Sequence, residues 1–363
     1  MNKQRKIRGA AMAVVIGMLL STSHSQTQPA TASTPSPAVA AFLAHAGTTA
    51  AGATATGANA VAGEDGWLFF APELRHLSAG PFWGPAAAGV SRAPAAHADP
   101  VPAIVDCHEQ LKARGIKLIL MPVPAKAAIW PDKVPGSETG QTHPRVDIQH
   151  AVFYDLLREK GVAVLDLAPV FRAQRDTEHG PVHCRTDTHW SGAGVVLAAQ
   201  ALAARLRALP DVATEGKTPY RAARDTLDIT GDLVSMLPDA APKPEPETLQ
   251  LRFIATQEGD APQTESGSPV LLMGDSHTLV FHAGGDLHAG GAGLPDQLAH
   301  ELGRPVDLMG TRGSGTSTVR IDLYRQSRRD PDYLNGKKAV VWCFTARDFT
   351  ESTQGWRKMP VSP

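Results

Sequence analysis

Val270-Leu271-Leu272-Met273-Gly274-Asp275-Ser276-His277 is the stretch around which the chain is organised. Its apolar start reads as a buried parallel strand, and Gly274-Asp275-Ser276 reads as the turn that ends it. Thr278-Leu279-Val280-Phe281 then opens a helix in this reading, which places Ser276 at a strand-to-helix turn. A serine there is held clear of the sheet, and the helix N-terminus offers N–H groups to a developing oxyanion. Serine is a weak nucleophile at neutral pH, so it needs a histidine base and a carboxylate to orient that base. Arg185-Thr186-Asp187-Thr188-His189-Trp190 supplies both. Alone, Gly-Asp-Ser equally describes a turn with a capping serine; the pairing with Asp-Thr-His-Trp gives the nucleophilic reading its specificity.

Working outward, Ser191 is placed to cap a long helix through Val195, Ala198, Leu202, Leu206 and Leu209, which would hold the Asp187 to Trp190 segment rigidly. The residues before it, His179, His183 and Cys184, together with Asp187 and His189, invite a zinc reading. They lack the usual paired-ligand spacing, and the serine-based reading accounts for Asp187 and His189 together. No metal and no cofactor are therefore expected.

The rest of the chain alternates helix and strand. Pro100 to Arg114 and Val146 to Lys160 have helical periodicity and end at Gly115 and Gly161. Each is followed by an apolar strand, Ile116 to Pro124 and Val162 to Leu167. Beyond Ser276 come a helix at Leu294 to Leu302, a strand at Pro305 to Met309, a helix around Ser317 to Arg328 and a strand at Lys338 to Phe344. This pattern predicts an α/β fold of three layers, with a mostly parallel sheet covered on both faces. Pro210 to Ser268 is polar and proline-rich and reads as a surface excursion with one or two β-hairpin segments.

Several residues near strand ends are candidates for binding. Lys126 follows a strand, where open α/β sheets take ligands, although a solvated surface lysine is the blander reading. Gly313 and Gly315 lie in the loop Gly310 to Thr316, which is able to bring N–H groups to an oxyanion. Arg347 extends from the last strand, and Trp190 adjoins the base. Trp67 and Trp83 offer aromatic faces for sugar stacking, with core packing as the alternative.

Composition sets the compartment and excludes some partners. Lys3, Arg5, Lys6 and Arg8 precede an apolar run to Leu20, which reads as a signal peptide over residues 1–25. The run is short for a bilayer span, so cleavage and export to the periplasm are expected, with an uncleaved inner-membrane anchor as the alternative. Residues 26–63 are rich in Ala, Thr, Ser, Pro and Gly and read as a tether, with little weight given to a helical turn at Ala38 to His45. Residues 64–363 form one domain in this reading. A formal net charge of −1 and no basic run beyond the signal argue against nucleic acid. Three cysteines, Cys107, Cys184 and Cys343, permit one disulfide with one thiol left over, although Cys343 reads as a small core residue.

Four stretches resemble one family: Asp65-Gly66-Trp67-Leu68-Phe69, Pro122-Val123-Pro124-Ala125-Lys126 with Ile129-Trp130-Pro131, Arg185 to Trp190, and Leu272 to His277. They are similar to the SGNH-hydrolase-like alginate O-acetyltransferases of the AlgJ/AlgX type. In ordinary SGNH esterases the serine block comes first; here Asp187 and His189 precede Ser276, the permuted order of this family. The resemblance implies Ser276 as nucleophile, His189 as base, Asp187 as its orienting carboxylate, and the Ser276 N–H in an oxyanion hole. It also implies transfer of acetyl groups to an exopolysaccharide, an acetyl supply from an MBOAT-type membrane acyltransferase, and membership of a membrane-associated export complex. The same residues would serve a carbohydrate acetylesterase, and a non-catalytic polysaccharide-binding scaffold is the third reading. His277, after the serine, departs from the family pattern.

Overall fold

The computed structural model describes residues 35–139, 144–209, 212, 218–313 and 315–363, so the expected signal segment lies outside the described residues. A parallel sheet of five strands carries the fold: β1 (Lys117–Val123), β2 (Ala163–Val164), β3 (Val270–Gly274), β4 (Asp307–Gly310) and β5 (Ala339–Thr345). They lie in the order β4-β3-β5-β1-β2, all parallel. The last strand of the chain therefore sits in the middle, between β3 and β1.

The inner strands of the sheet are largely apolar because both faces are covered. Ile119, Met121, Val123, Leu272, Val341 and Cys343 face one side, packing with α1 (Pro37–Ala55), α5 (Gly192–Arg207) and α6 (Leu294–Leu302). Leu118, Leu120, Leu271, Met273, Val340 and Trp342 face the other, packing with α3 (Val101–Lys112), α4 (Ile148–Glu159) and α7 (Thr318–Arg329). The numbering leaves α2 for the short helix Ala71–Ser78. Helix, sheet and helix make the three-layer α/β fold that the alternation predicts. Ser191 caps α5 as expected, accepting from Gly194 N at 3.3 Å. The excursion after α5 contains a long antiparallel hairpin, Arg221–Ile229 with Glu247–Ala255, laid against α5 and α6.

Two expectations are corrected. The tether expected over 26–63 is interrupted by α1, a helix of 19 residues that buries Val39, Phe42, Ala46 and Ala50. Its alanines are strong helix formers, and the stripe at spacings of three and four residues finds α2 to pack on. Low charge and low complexity describe a tether only when no such stripe exists. The helix expected after Ser276 is a single 3₁₀ turn, Ser276–Thr278, and Phe281 then takes φ 59°, which ends any helical path. Cys107, Cys184 and Cys343 are all buried and free, so no disulfide forms. Cys343 lies in the core, as its strand context predicts.

If α1 is part of the core, Phe42→Ala should lower the unfolding free energy by about 3 kcal/mol. A denaturation midpoint equal to that of the parent would mean that α1 is dispensable.

Candidate active site

The C-terminal ends of β3 and β5 come so close that a Cβ at position 274 would lie 1.9 Å from the Cys343 carbonyl oxygen. Only glycine fits, and this is why the turn begins with it. Asp275 then clamps the turn. Its Oδ1 accepts from the His277 N–H at 2.9 Å, and its Oδ2 accepts from the Thr345 N–H at 2.7 Å, tying the turn to the end of β5. Ser276, half-buried, is left at the start of the turn with its hydroxyl outward.

His189 and Asp187 meet it there. His189 Nε2 lies 2.8 Å from Ser276 Oγ, and His189 Nδ1 lies 2.6 Å from Asp187 Oδ1. The three residues predicted from the sequence thus stand in hydrogen-bond sequence, nucleophile to base to carboxylate. The second Asp187 oxygen accepts from the Asp232 N–H at 3.0 Å and lies 3.0 Å from His288 Nε2. Burial opposes the Asp187 charge, but the hydrogen bonds from His189, His288 and the Asp232 N–H outweigh it and hold its carboxyl well below the usual carboxylate value. For His189 burial favours the neutral ring; the hydrogen bond and charge of Asp187, with Asp232 and Asp275 further off, reverse that and raise its pKa above 6.5.

The loop that carries Asp187 is built by groups remote in sequence. Glu247, from the long hairpin, accepts from the N–H groups of Arg185 and Thr186, both at 2.8 Å, and from Thr186 Oγ1 at 2.7 Å. Asp232 accepts from Thr188 N–H and Oγ1 at 2.8 and 2.7 Å. Gly231 packs so tightly on Thr186 that a Cβ would lie 2.2 Å from its carbonyl. Asp187, His189 and Asp232 bring ligand atoms within 4.8 Å of one another. Each is engaged in the hydrogen bonds just described. His183 and Cys184, also weighed for zinc, turn elsewhere: His183 Nε2 faces the Pro124 carbonyl at 3.3 Å, burial pushes the His183 pKa down to about 3, and Cys184 Sγ reaches the Trp190 carbonyl.

Most of the binding candidates are engaged in contacts within the fold. Lys126 is 1% exposed, not solvated, and its ammonium donates to the carbonyls of Leu68 at 2.8 Å, Arg185 at 3.1 Å and Asp187 at 2.7 Å. Burial lowers its pKa, yet three acceptors around a group with three protons suit the ammonium. Trp67 is buried, tilted against Trp130 with centroids 4.3 Å apart, and covers that lysine. Trp83 is half-buried against Phe82 and Phe153. Trp190 is fully buried with its edge on His277. Arg347 donates to Glu73 at 2.7 Å and Thr345 Oγ1 at 3.0 Å, with its guanidinium over Phe70, so it braces β5 against α2. The Gly315 N–H is taken by Asp348 at 3.1 Å, and its carbonyl by the Trp342 indole at 2.8 Å. Gly313 is exposed, with φ 87°. His277 pairs with Asp275 at 3.1 Å; burial lowers its pKa against the pull of that carboxylate.

Sequence reasoning missed Asp232, Glu247 and His288. Nothing in Asp228-Ile229-Thr230-Gly231-Asp232 points across to Asp187. Glu247 and His288 carry no local signal.

Lys126→Met keeps the stem and removes the ammonium, leaving three buried carbonyls without their donor. The expected loss is about 3 kcal/mol of stability, with faster hydrogen exchange at residues 185–188. Unchanged stability and exchange would show that the lysine does not hold the loop.

With this geometry in place, the comparisons can be weighed. Residues 60–346 match the family described as SGNH hydrolase-like domain, acetyltransferase AlgX. A Pseudomonas aeruginosa protein named probable alginate O-acetylase AlgJ is 27% identical over 296 residues, spanning 79% of this chain and 69% of that one. The fold is shared with the O-acetyltransferase domain of Pseudomonas putida AlgJ, at TM-score 0.60 and 23% identity over 81% of this chain and 92% of that one. It is shared also with Pseudomonas aeruginosa AlgX, at TM-score 0.60 and 17% identity over 88% and 69%. The family match takes in the signature turn at Ser276, the base loop and all five sheet strands, and by it the chain belongs to the SGNH hydrolase-like, AlgX-type acetyltransferase family.

Proposed function

We propose that this protein is an O-acetyltransferase that moves acetyl groups onto hydroxyls of an exopolysaccharide, alginate or a similar polymer, through an acetyl ester on Ser276. The observation that carries the reading is the unbroken chain Ser276 Oγ to His189 Nε2 and His189 Nδ1 to Asp187, at 2.8 and 2.6 Å. Family membership and the alginate O-acetylase name of the relative support the acceptor class.

In the first step Ser276 Oγ attacks the acetyl carbonyl of the donor while His189 Nε2 takes the hydroxyl proton. Asp187 stabilises the imidazolium that forms, and the carbonyl oxygen gains negative charge. Of the first three N–H groups of the turn, that of His277 goes to Asp275 Oδ1 and that of Thr278 to the Asp275 carbonyl. The Ser276 N–H is the one left for the oxyanion. The donor oxygen leaves with the proton from His189, and the acetyl stays on Ser276. In the second step a sugar hydroxyl gives its proton to His189 and attacks the ester, and Ser276 recovers the proton as it leaves. Water in place of the sugar would make the protein an esterase.

The donor in this reading is an MBOAT-type membrane acyltransferase working in an export complex, and the site of action is the periplasm. The basic and apolar start of the chain supports that placement. Among the described residues no helix is long and apolar enough to cross a membrane.

The test pairs p-nitrophenyl acetate, as a surrogate donor, with oligouronate acceptors and follows both acetylated sugar and free acetate. Ser276→Ala and His189→Ala should each remove nearly all transfer, and the double variant should lose little more. Additive losses would break the triad; acetate with no acetylated sugar at any acceptor concentration would replace transferase by esterase. The pH dependence has a definite sign. Because the base must be neutral and its pKa is raised above 6.5, activity should fall with decreasing pH through a midpoint above that value. A midpoint below 6 would exclude His189 as the base.

A further inference from the structure

The loop between the Ser276 turn and α6 is strained. Phe281 and His288 have φ of 59° and 74°, alongside Gly284, Gly285 and Gly291, whose positive φ is ordinary for glycine. At His288 the conformation is φ 74°, ψ −62°, and Ala289 N–H donates to the Leu287 carbonyl at 3.0 Å. This is a γ-turn of the kind that residues with a Cβ disfavour. Glycine would sit there without strain, yet the position holds a histidine.

What the strain secures is a contact with the base's carboxylate. His288 Nε2 lies 3.0 Å from Asp187 Oδ2, the side chain is 14% exposed, and Phe281 lies beside the ring at 5.8 Å. An Ala283–Gly290 bridge closes the loop behind it. We propose that His288 is a positioning residue for acetyl transfer: its Nε2–H donates to Asp187 Oδ2 and fixes the carboxylate with Oδ1 toward His189.

The proposal rests on the reading of Asp187, His189 and Ser276 as one catalytic unit. Asp187 Oδ1 is already occupied by the N–H and Nδ1 of His189, at 3.0 and 2.6 Å. The Asp232 N–H is one backbone donor on Oδ2. A second donor fixes the carboxylate plane, so that rotation about the last side-chain bond cannot carry Oδ1 away from the base. A donor on Oδ2 also draws charge from Oδ1 and tempers the basicity that Asp187 confers on His189. The charged groups against His288 are Asp187, at hydrogen-bond distance, and Asp286 in its own loop, which Arg312 pairs with from the loop after β4.

Two variants test this in the full chain, with p-nitrophenyl acetate as donor. His288→Gly keeps the γ-turn and removes the imidazole. Its kcat should fall roughly tenfold with KM for the ester little changed, the scale of one lost hydrogen bond to a charged group. Its acid limb should move up by roughly half a pH unit, as Asp187 regains basicity, while Tm stays level or rises. His288→Gln places an amide N–H near Asp187 and should recover most of kcat. Unchanged kcat and pH profile in the glycine variant would overturn the proposal, as would a glutamine variant no better than glycine. A lower Tm for glycine would assign the histidine to folding and overturn it also. Full activity in Ser276→Ala would instead sink the catalytic unit itself, which separates the two failures.

Discussion

A single buried ammonium holds the site together. Lys126 binds the carbonyls of Leu68, Arg185 and Asp187 at once, drawing the short antiparallel pair Ala60–Ala62 and Leu68–Phe70, the end of β1 and the loop of Asp187 to one point. An isolated charge in that position would be costly, and it is tolerated because all three of its protons are taken. Around it, carboxylates act on backbone N–H groups: Glu247 on Arg185 and Thr186, Asp232 on Thr188, Asp275 on His277 and Thr345. Irregular loops that lack strand or helix partners for their N–H groups are made rigid in this way. The catalytic side chains inherit that rigidity.

This explains why four separate stretches of sequence resemble the family together. Leu68 and Trp67 come from the first, Lys126 from the second, Asp187 and His189 from the third, and Ser276 from the fourth, and they form one connected cluster. Lys126 and Trp67, from the first two stretches, brace the loop that carries Asp187 and His189. Arg347 belongs to the same scheme, since its guanidinium ties the end of β5 to Glu73 of α2.

The layers, the sheet and the juxtaposition of Ser276, His189 and Asp187 were legible because their signals are local: apolar strands, glycines at helix ends, and Asp-Thr-His-Trp beside a capped helix. What the sequence withheld depends on partners far along the chain. Lys126 looks like any lysine past a strand until the three carbonyls are seen to converge on it. Asp232 and Glu247 lie about 45 and 60 residues from the loop they support, and no periodicity links them. The helix α1 was obscured for another reason: an alanine-rich, uncharged stretch has the same composition whether or not a partner covers its apolar stripe. His288 is invisible because a disfavoured conformation is imposed by tertiary contacts against local preference.

The position of β5 has a consequence for the order of assembly. Lys126 follows the half of the sheet built on β1 and β2, Ser276 the half built on β3 and β4, and within the sheet β5 alone joins the two. It is also the last strand to be made. Until it inserts, the sheet has two unpaired inner edges and the halves have no hydrogen-bonded ladder between them. Contacts so distant along the chain form late and slowly. A nascent chain stopped short of Ala339 therefore lacks both its central strand and the Thr345 N–H that anchors Asp275. The turn that presents Ser276 is thus completed by the strand that closes the sheet.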